Sequence, residues 1–228
     1  MTNAMINKQK TAIVIGATGL VGSRLVKYLL EDNDYEKVNI FVRRTTNIVH
    51  PKLTEYIVDF DKRTEWRDKV KGDMLFSVLG TTLRQAGSKE AQYKVDYHYQ
   101  YNTAVTAAAN GVRGYVLVSA QNASLNSSFF YSRMKGGLED AVTKLPFKNI
   151  AVIRPGLLYG KRETFRKREG LAIGLFNTFN KLGLMKKWKP IDAKDVAKAM
   201  LYAGETGRGI EYYTGNELFS MAAKYKAK

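Results

Sequence analysis

The chain has no cysteine among its 228 residues. That excludes a disulfide framework, a thiolate-bound zinc and a thiol nucleophile, and it fits a reducing compartment. Histidine is nearly as scarce, with only His50 and His98, so no metal centre is expected. Long apolar runs are missing too. No stretch approaches the length of a bilayer span, and the opening MTNAMINKQK lacks the apolar segment of a signal peptide. The expectation is a soluble, cytoplasmic protein.

Acidic residues are the last shortage. Against 37 Lys and Arg stand 21 Asp and Glu, a formal net charge of +16, which draws polyanions toward the surface. The cations gather late, in KRETFRKREG (161–170), MKKWK (185–189) and KYKAK (224–228). No zinc-finger or RNA-recognition signature accompanies them, so a solvated lysine-rich surface is expected, with at most weak electrostatic contact to an anionic partner.

An apolar fraction of 45% is enough to build a core. After a polar leader (1–10), one domain is expected over 11–228. TAIVIG (11–16) is a β-branched apolar run stopped by glycine, as a buried parallel strand reads. LVGSRLVKYLLED then places Leu20, Val21, Leu25, Tyr28 and Leu29 at helical spacing. Further strands are expected at 37–42, 55–60, 73–80, 114–120, 148–156 and in GIEYYTG. Helices are expected from about Lys89 to Asn110, from Tyr131 to about 144, over GLAIGLFNTFNKLGLM, and after a cap at Asp192. This alternation predicts an α/β fold, a doubly wound, mostly parallel sheet with helices on both faces.

Between the first strand and helix lies G-A-T-G-L-V-G, with glycines 16, 19 and 22 three apart. Glycine suits a tight turn, close approach of a pyrophosphate and close helix–strand packing, and a helix N-terminus offers amides to phosphate. Gly16, Thr18, Gly19, Leu20, Val21 and Gly22 are therefore candidate dinucleotide contacts. At the end of the second strand, V-R-R supplies Arg43 and Arg44 where an NAD site wants a carboxylate. Two guanidinium forks favour a 2′-phosphate, hence NADP, with NAD the lesser alternative. Asp59 and Phe60, after the third strand, are placed to flank the adenine. In FFYSRMKGG, Tyr131 and Lys135 are four apart and share a helix face, either as a catalytic pair or as two residues of a solvated one.

GATGLVG, VRR, VDFD, SVLGTT, VLVSA, Y-x-x-x-K and VIRPG, in this order, resemble the extended and atypical short-chain dehydrogenase/reductases. SVLGTTLRQAG, KVDYHY, FFYSRMKGGLEDAV and IRPGLLYG are similar to the Tat-interacting-protein (HTATIP-like oxidoreductase) branch, and the likeness spans roughly 11–215. The resemblance implies that Tyr131 is the proton donor to a carbonyl oxygen, and that Lys135 binds the cofactor and lowers the tyrosine pKa. It implies Ser119 as the hydroxyl that holds the substrate oxygen, with Gln121 or Ser124 as alternatives because Ala120 replaces the second serine of many relatives. Leu79, Gly80, Thr81 and Thr82 would run along the cofactor, and Arg154, Pro155 and Gly156 would reach the nicotinamide side. The segment 157–190, with Leu157, Leu158, Phe176 and Phe179 among cations such as Arg162 and Arg166, would be a substrate-side lid. An oxidoreductase acting on a carbonyl or alcohol is the expectation; an NADP-sensing regulatory or scaffold protein without turnover is the alternative. Helices 89–110 and 131–144 could pack against a partner, as in many short-chain relatives, but the branch includes monomers, and a monomer is the expectation.

Overall fold

A computed structural model describes residues 9–160 and 190–226. Strands β1 (Lys10–Ile15), β2 (Tyr35–Val42), β3 (Leu53–Ile57), β4 (Met74–Ser77), β5 (Gly114–Val118), β6 (Asn149–Arg154) and β9 (Gly209–Thr214) form one sheet in the order β3-β2-β1-β4-β5-β6-β9. Every neighbouring pair is parallel. Between them β7 (Leu158–Tyr159) and β8 (Ile191–Asp192) form a separate parallel pair.

The side chains explain why these runs become two-sided strands. In β1, Ala12 and Val14 join one buried cluster, and Ile13 and Ile15 join the other. β6 divides likewise, Ala151 and Ile153 against Ile150 and Val152. Period-2 alternation of wholly apolar residues gives each sheet face a core that helices must cover. Helices α1 (Leu20–Glu31), α7 (Ala193–Thr206) and α8 (Asn216–Lys224) cover the first face; α5 (Gln100–Ala109) and α6 (Phe130–Thr143) cover the second. Shorter turns, α2 (Arg63–Trp66), α3 (Leu83–Ala86) and α4 (Lys89–Tyr93), join them.

Strand order reverses between β1 and β4, whose onward connections leave toward opposite sides. At such a point a crevice opens beyond the carboxyl ends of the strands. Asp192 is the expected cap of α7, its Oδ1 accepting from the Lys194 amide at 2.9 Å.

Two expectations change, and a third lies beyond the described residues. The single helix over 89–110 is instead α4, a π-helical turn (Lys94–Tyr99) and α5. The wider turn coincides with Asp96 pointing inward, 1% exposed, as the Thr81 amide donates to it at 2.8 Å. Helix α8 was not expected at all. Its end is not a loose basic tail: Tyr225 is 7% exposed and donates to the buried Asp32 Oδ2 at 2.6 Å. The helix expected over GLAIGLFNTFNKLGLM lies outside the described residues, as does most of the 157–190 segment, Arg162, Arg166, Phe176 and Phe179 included.

Candidate active site

The glycine turn closes at the reversal point. Gly16 has φ +85°, and a Cβ there would lie 2.5 Å from the Val78 carbonyl carbon, just past β4. A Cβ on Gly22 would lie 2.1 Å from the Gly16 oxygen. The Gly19 amide donates to that oxygen at 2.9 Å. Gly16 and Gly22 therefore allow backbone approaches that a side chain would block. Gly19 caps α1 without a side-chain acceptor, and the first turn carries no carboxylate. The early amides, from the exposed Thr18 through the half-buried Leu20 to the buried Val21, keep their positive dipole end for an anion.

Arg43 and Arg44 follow β2 directly, exposed and without an ion-pair partner among the described residues. Asp59 is exposed and accepts from the Asp61 amide at 3.0 Å. Phe60 differs from expectation: 4% exposed, its ring stacks on Tyr99 at 5.2 Å and meets Trp66 edge-on at 5.8 Å. It is a core ring, and burial against two aromatics leaves little of it to flank an adenine. After β4, Leu79 and Thr81 are half-buried and Gly80 is exposed. Thr82 caps α3, its hydroxyl accepting from Gln85 at 3.2 Å.

Helix α6 carries Tyr131 and Lys135 one turn apart. Lys135 is 3% exposed, with Nζ 3.5 Å from the Val118 oxygen and 3.8 Å from Asp96 Oδ1. Desolvation lowers its pKa, opposed by the Asp96 and Glu139 charges. Desolvation also raises the pKa of Asp96, opposed by Lys135. Tyr131 is 42% exposed, yet desolvation pushes its phenol up to about 12, with Asp96 adding to the rise. The resemblance implied the reverse, a phenol lowered by lysine. The physical reason is burial of the phenol first and the nearby Asp96 charge second.

Ser119 is 5% exposed, and its Oγ has no hydrogen-bond partner among the described residues. Its amide donates to the Ile153 oxygen at 2.8 Å. The following loop rests on α6 at Gly136, where a Cβ would lie 2.4 Å from the Ser124 carbonyl carbon. The Ser124 amide donates to the Ser132 oxygen, and the Gln121 amide donates to the Pro155 oxygen. Ser124 is exposed and Gln121 half-buried, so of the three polar candidates Ser119 alone is a buried hydroxyl lacking a partner.

Arg154 is held elsewhere than expected. Its Nε donates to Glu139 Oε1 at 3.0 Å, its Nη2 donates to Oε2, and its guanidinium lies 4.6 Å from the Tyr212 ring centre. That fork raises the arginine pKa; Pro155 beside it is buried and Gly156 half-buried. Sequence reading missed Asp96 and Glu139. Each carried a signal: Glu139 stands four residues beyond Lys135 on the same helix face, and Asp96 is the lone acid in an aromatic helical run.

A cradle that any Cβ would fill, an uncapped helix start beside it and an orphaned buried hydroxyl fit a dinucleotide with a reacting group beyond it. Comparison with known proteins agrees. The family described as NAD(P)H-binding matches residues 16–167. "Protein FMP52, mitochondrial" of Candida albicans is 33% identical over 203 residues, 86% of this chain and 89% of that protein. The Eremothecium gossypii protein of the same name is 38% identical over 167 residues, 72% and 74% respectively. Among solved structures, a Thermotoga maritima UDP-glucose 4-epimerase with UDP-glucose superposes with TM-score 0.67 at 15% identity, covering 96% of this chain and 84% of that one. The Bordetella bronchiseptica enzyme WbmG in complex with NAD gives 0.69 at 13%, covering 97% and 80%. The relatives' names correct the expected location, pointing to mitochondria rather than the cytoplasm. The chain belongs to the NAD(P)H-binding family, with the FMP52 proteins as its relatives, and it shares its fold with nucleotide-sugar epimerases of known structure.

Proposed function

We propose that this protein is an NADP(H)-dependent oxidoreductase acting on a small carbonyl compound or the corresponding alcohol, with Tyr131 as the group that exchanges a proton with the substrate oxygen. The observation that carries this reading is the placement of Lys135, buried one helical turn from Tyr131 at the carboxyl edge of the sheet, where the glycine cradle also opens. A buried lysine is costly without a task or a partner. Arg43 and Arg44 would hold the 2′-phosphate, and the amides at the start of α1 the pyrophosphate. When bound, the nicotinamide supplies or accepts the two-electron reducing equivalent. Ser119 Oγ would donate to the substrate oxygen and orient it toward the phenol. Lys135 would bind the ribose, and the loop resting on Gly136 would keep Ser119 in register with Tyr131.

The test is NADPH consumption over a panel of apolar and acidic carbonyl compounds. Turnover that falls by ~10²- to 10⁴-fold in Tyr131→Phe, the range of general acid catalysis, supports the reading. NADPH binding with no turnover on any member of the panel favours the NADP-sensing alternative.

A further inference from the structure

Charged residues make up 25% of the chain. Yet the three segments that leave the carboxyl ends of β4, β5 and β6, at 78–83, 119–132 and 155–160, contain none. These segments close on one another and on the glycine cradle. A Cβ on Gly16 would lie 2.5 Å from the Val78 carbonyl carbon, and one on Gly160 would lie 3.4 Å from Leu20 Cδ1 at the start of α1. The Gln121 amide donates to the Pro155 oxygen at 3.1 Å, and the Ser124 amide donates to the Ser132 oxygen at 3.0 Å. Ser119 and Tyr131 therefore belong to an uncharged wall that continues to the cradle.

The wall is also apolar. Leu83 is 47% exposed, Leu125 52%, Phe129 75%, Leu157 39% and Tyr159 47%, each on one of the three segments. Exposed apolar residues scattered singly are ordinary, whereas a group gathered at one edge marks a place where something apolar sits. The cations of α6 and β6 are engaged inside the fold. Arg133 Nη1 donates to the Ser127 and Ser128 oxygens at 2.6 and 3.2 Å, Lys135 faces Asp96, and Arg154 is held by Glu139. Small-molecule sites combine apolar walls with a few polar groups that orient the ligand, and here Ser119 Oγ is a buried one without a partner among the described residues. We propose that the substrate is an uncharged carbonyl compound carried on an extended alkyl or aryl body, and that Phe129 and Leu157 select it over carboxylated, phosphorylated or nucleotide-linked compounds. The inference rests on the functional reading above and adds a substrate class to it.

The selection is physical. Each methylene that leaves water for such a wall strengthens binding by up to about fourfold. A carboxylate or phosphate brought to the same wall gives up hydration and meets no counter-ion on these segments. Arg84, next after Leu83, is exposed and is where an acidic ligand would turn instead.

The experiment has a binding arm and a turnover arm. Calorimetry on the protein without nucleotide measures the affinity of primary amides, which carry the C=O group but are not reduced by a hydride, as the alkyl chain lengthens from ethyl to hexyl. NADPH consumption is then followed on methyl ketones with the same chains. Affinity and kcat/KM are both expected to rise by ~2- to 4-fold per methylene. Phe129→Ser and Leu157→Ser are expected to flatten that rise, with circular dichroism confirming the fold. Ile210→Ser is expected to leave it unchanged, since Ile210 is as exposed, at 52%, but lies near the start of β9, at the opposite end of the sheet. Affinity that is flat across the chain lengths overturns the proposal. So does tighter binding of UDP-glucose than of the hexyl amide, or of a chain ending in carboxylate with that preference lost in Arg84→Ala. Chain-dependent binding without ketone turnover would sink the oxidoreductase reading and leave the apolar site standing; ketone turnover indifferent to chain length would do the reverse.

Discussion

The glycine turn shows how much one atom decides. Gly22→Ala would put a methyl 2.1 Å from the Gly16 oxygen, whereas Gly80→Ala meets only Asp96 Oδ1 at 3.5 Å, an ordinary contact. Gly22→Ala is expected to lower stability by ~1–3 kcal/mol, as overpacking does, and to weaken NADPH binding at least tenfold. Gly80→Ala is expected to leave thermal stability unchanged. Paired melting curves and nucleotide titrations check both. These glycines were legible in the sequence because the turn they make is local. Asp96 and Glu139 were not, because their roles depend on partners contributed by other segments: Thr81 and Lys135 for the first, Arg154 for the second. The burial of Phe60 was hidden for a related reason, since its contact with Tyr99 comes from a distant segment.

Among the elements, the strands were readable because buried parallel strands are short, apolar and β-branched, and the helices that follow them repeat every three to four residues. What periodicity does not register is a change of helical type. The residues of 89–110 fit one helix, and only the inward carboxylate of Asp96 marks the π turn. Helix α8 was hidden because its short length and lysine-rich end read as a tail. It is fastened by the Tyr225 hydroxyl on the carboxylate of Asp32, a fully buried residue whose backbone amide caps the end of α1 by donating to the Tyr28 oxygen. Tyr225→Phe strands that oxygen and is expected to cost ~1–3 kcal/mol. Denaturant unfolding measures it, and a change within error would mean that α8 is held by Leu218 and Met221 alone.

Across the whole molecule, buried phenols set the alkaline limit. Burial raises the pKa of Tyr35, Tyr115 and Tyr225 well above the ordinary tyrosine value of 10. A group raised on folding stabilises the native state fully below its unfolded pKa, and that contribution is lost as pH rises toward the folded one. Stability is therefore expected to hold up to about pH 10 and to fall above it, less steeply in Tyr225→Phe; melting temperatures from pH 8 to 11.5 check this. Composition was a poor guide at this scale. The expectation of a cytoplasmic protein is overturned by relatives named mitochondrial. The central claim remains the cofactor. Fluorescence titration with NADPH and with NADH, repeated on Arg43→Ala with Arg44→Ala, tests it most directly. The expected result is tighter binding of NADPH than of NADH, with NADPH affinity lost by ~10- to 100-fold in the double variant, as loss of charge-assisted bonds to a phosphate implies, and NADH affinity unchanged. Equal binding of both nucleotides, indifferent to the two arginines, would contradict the NADP assignment.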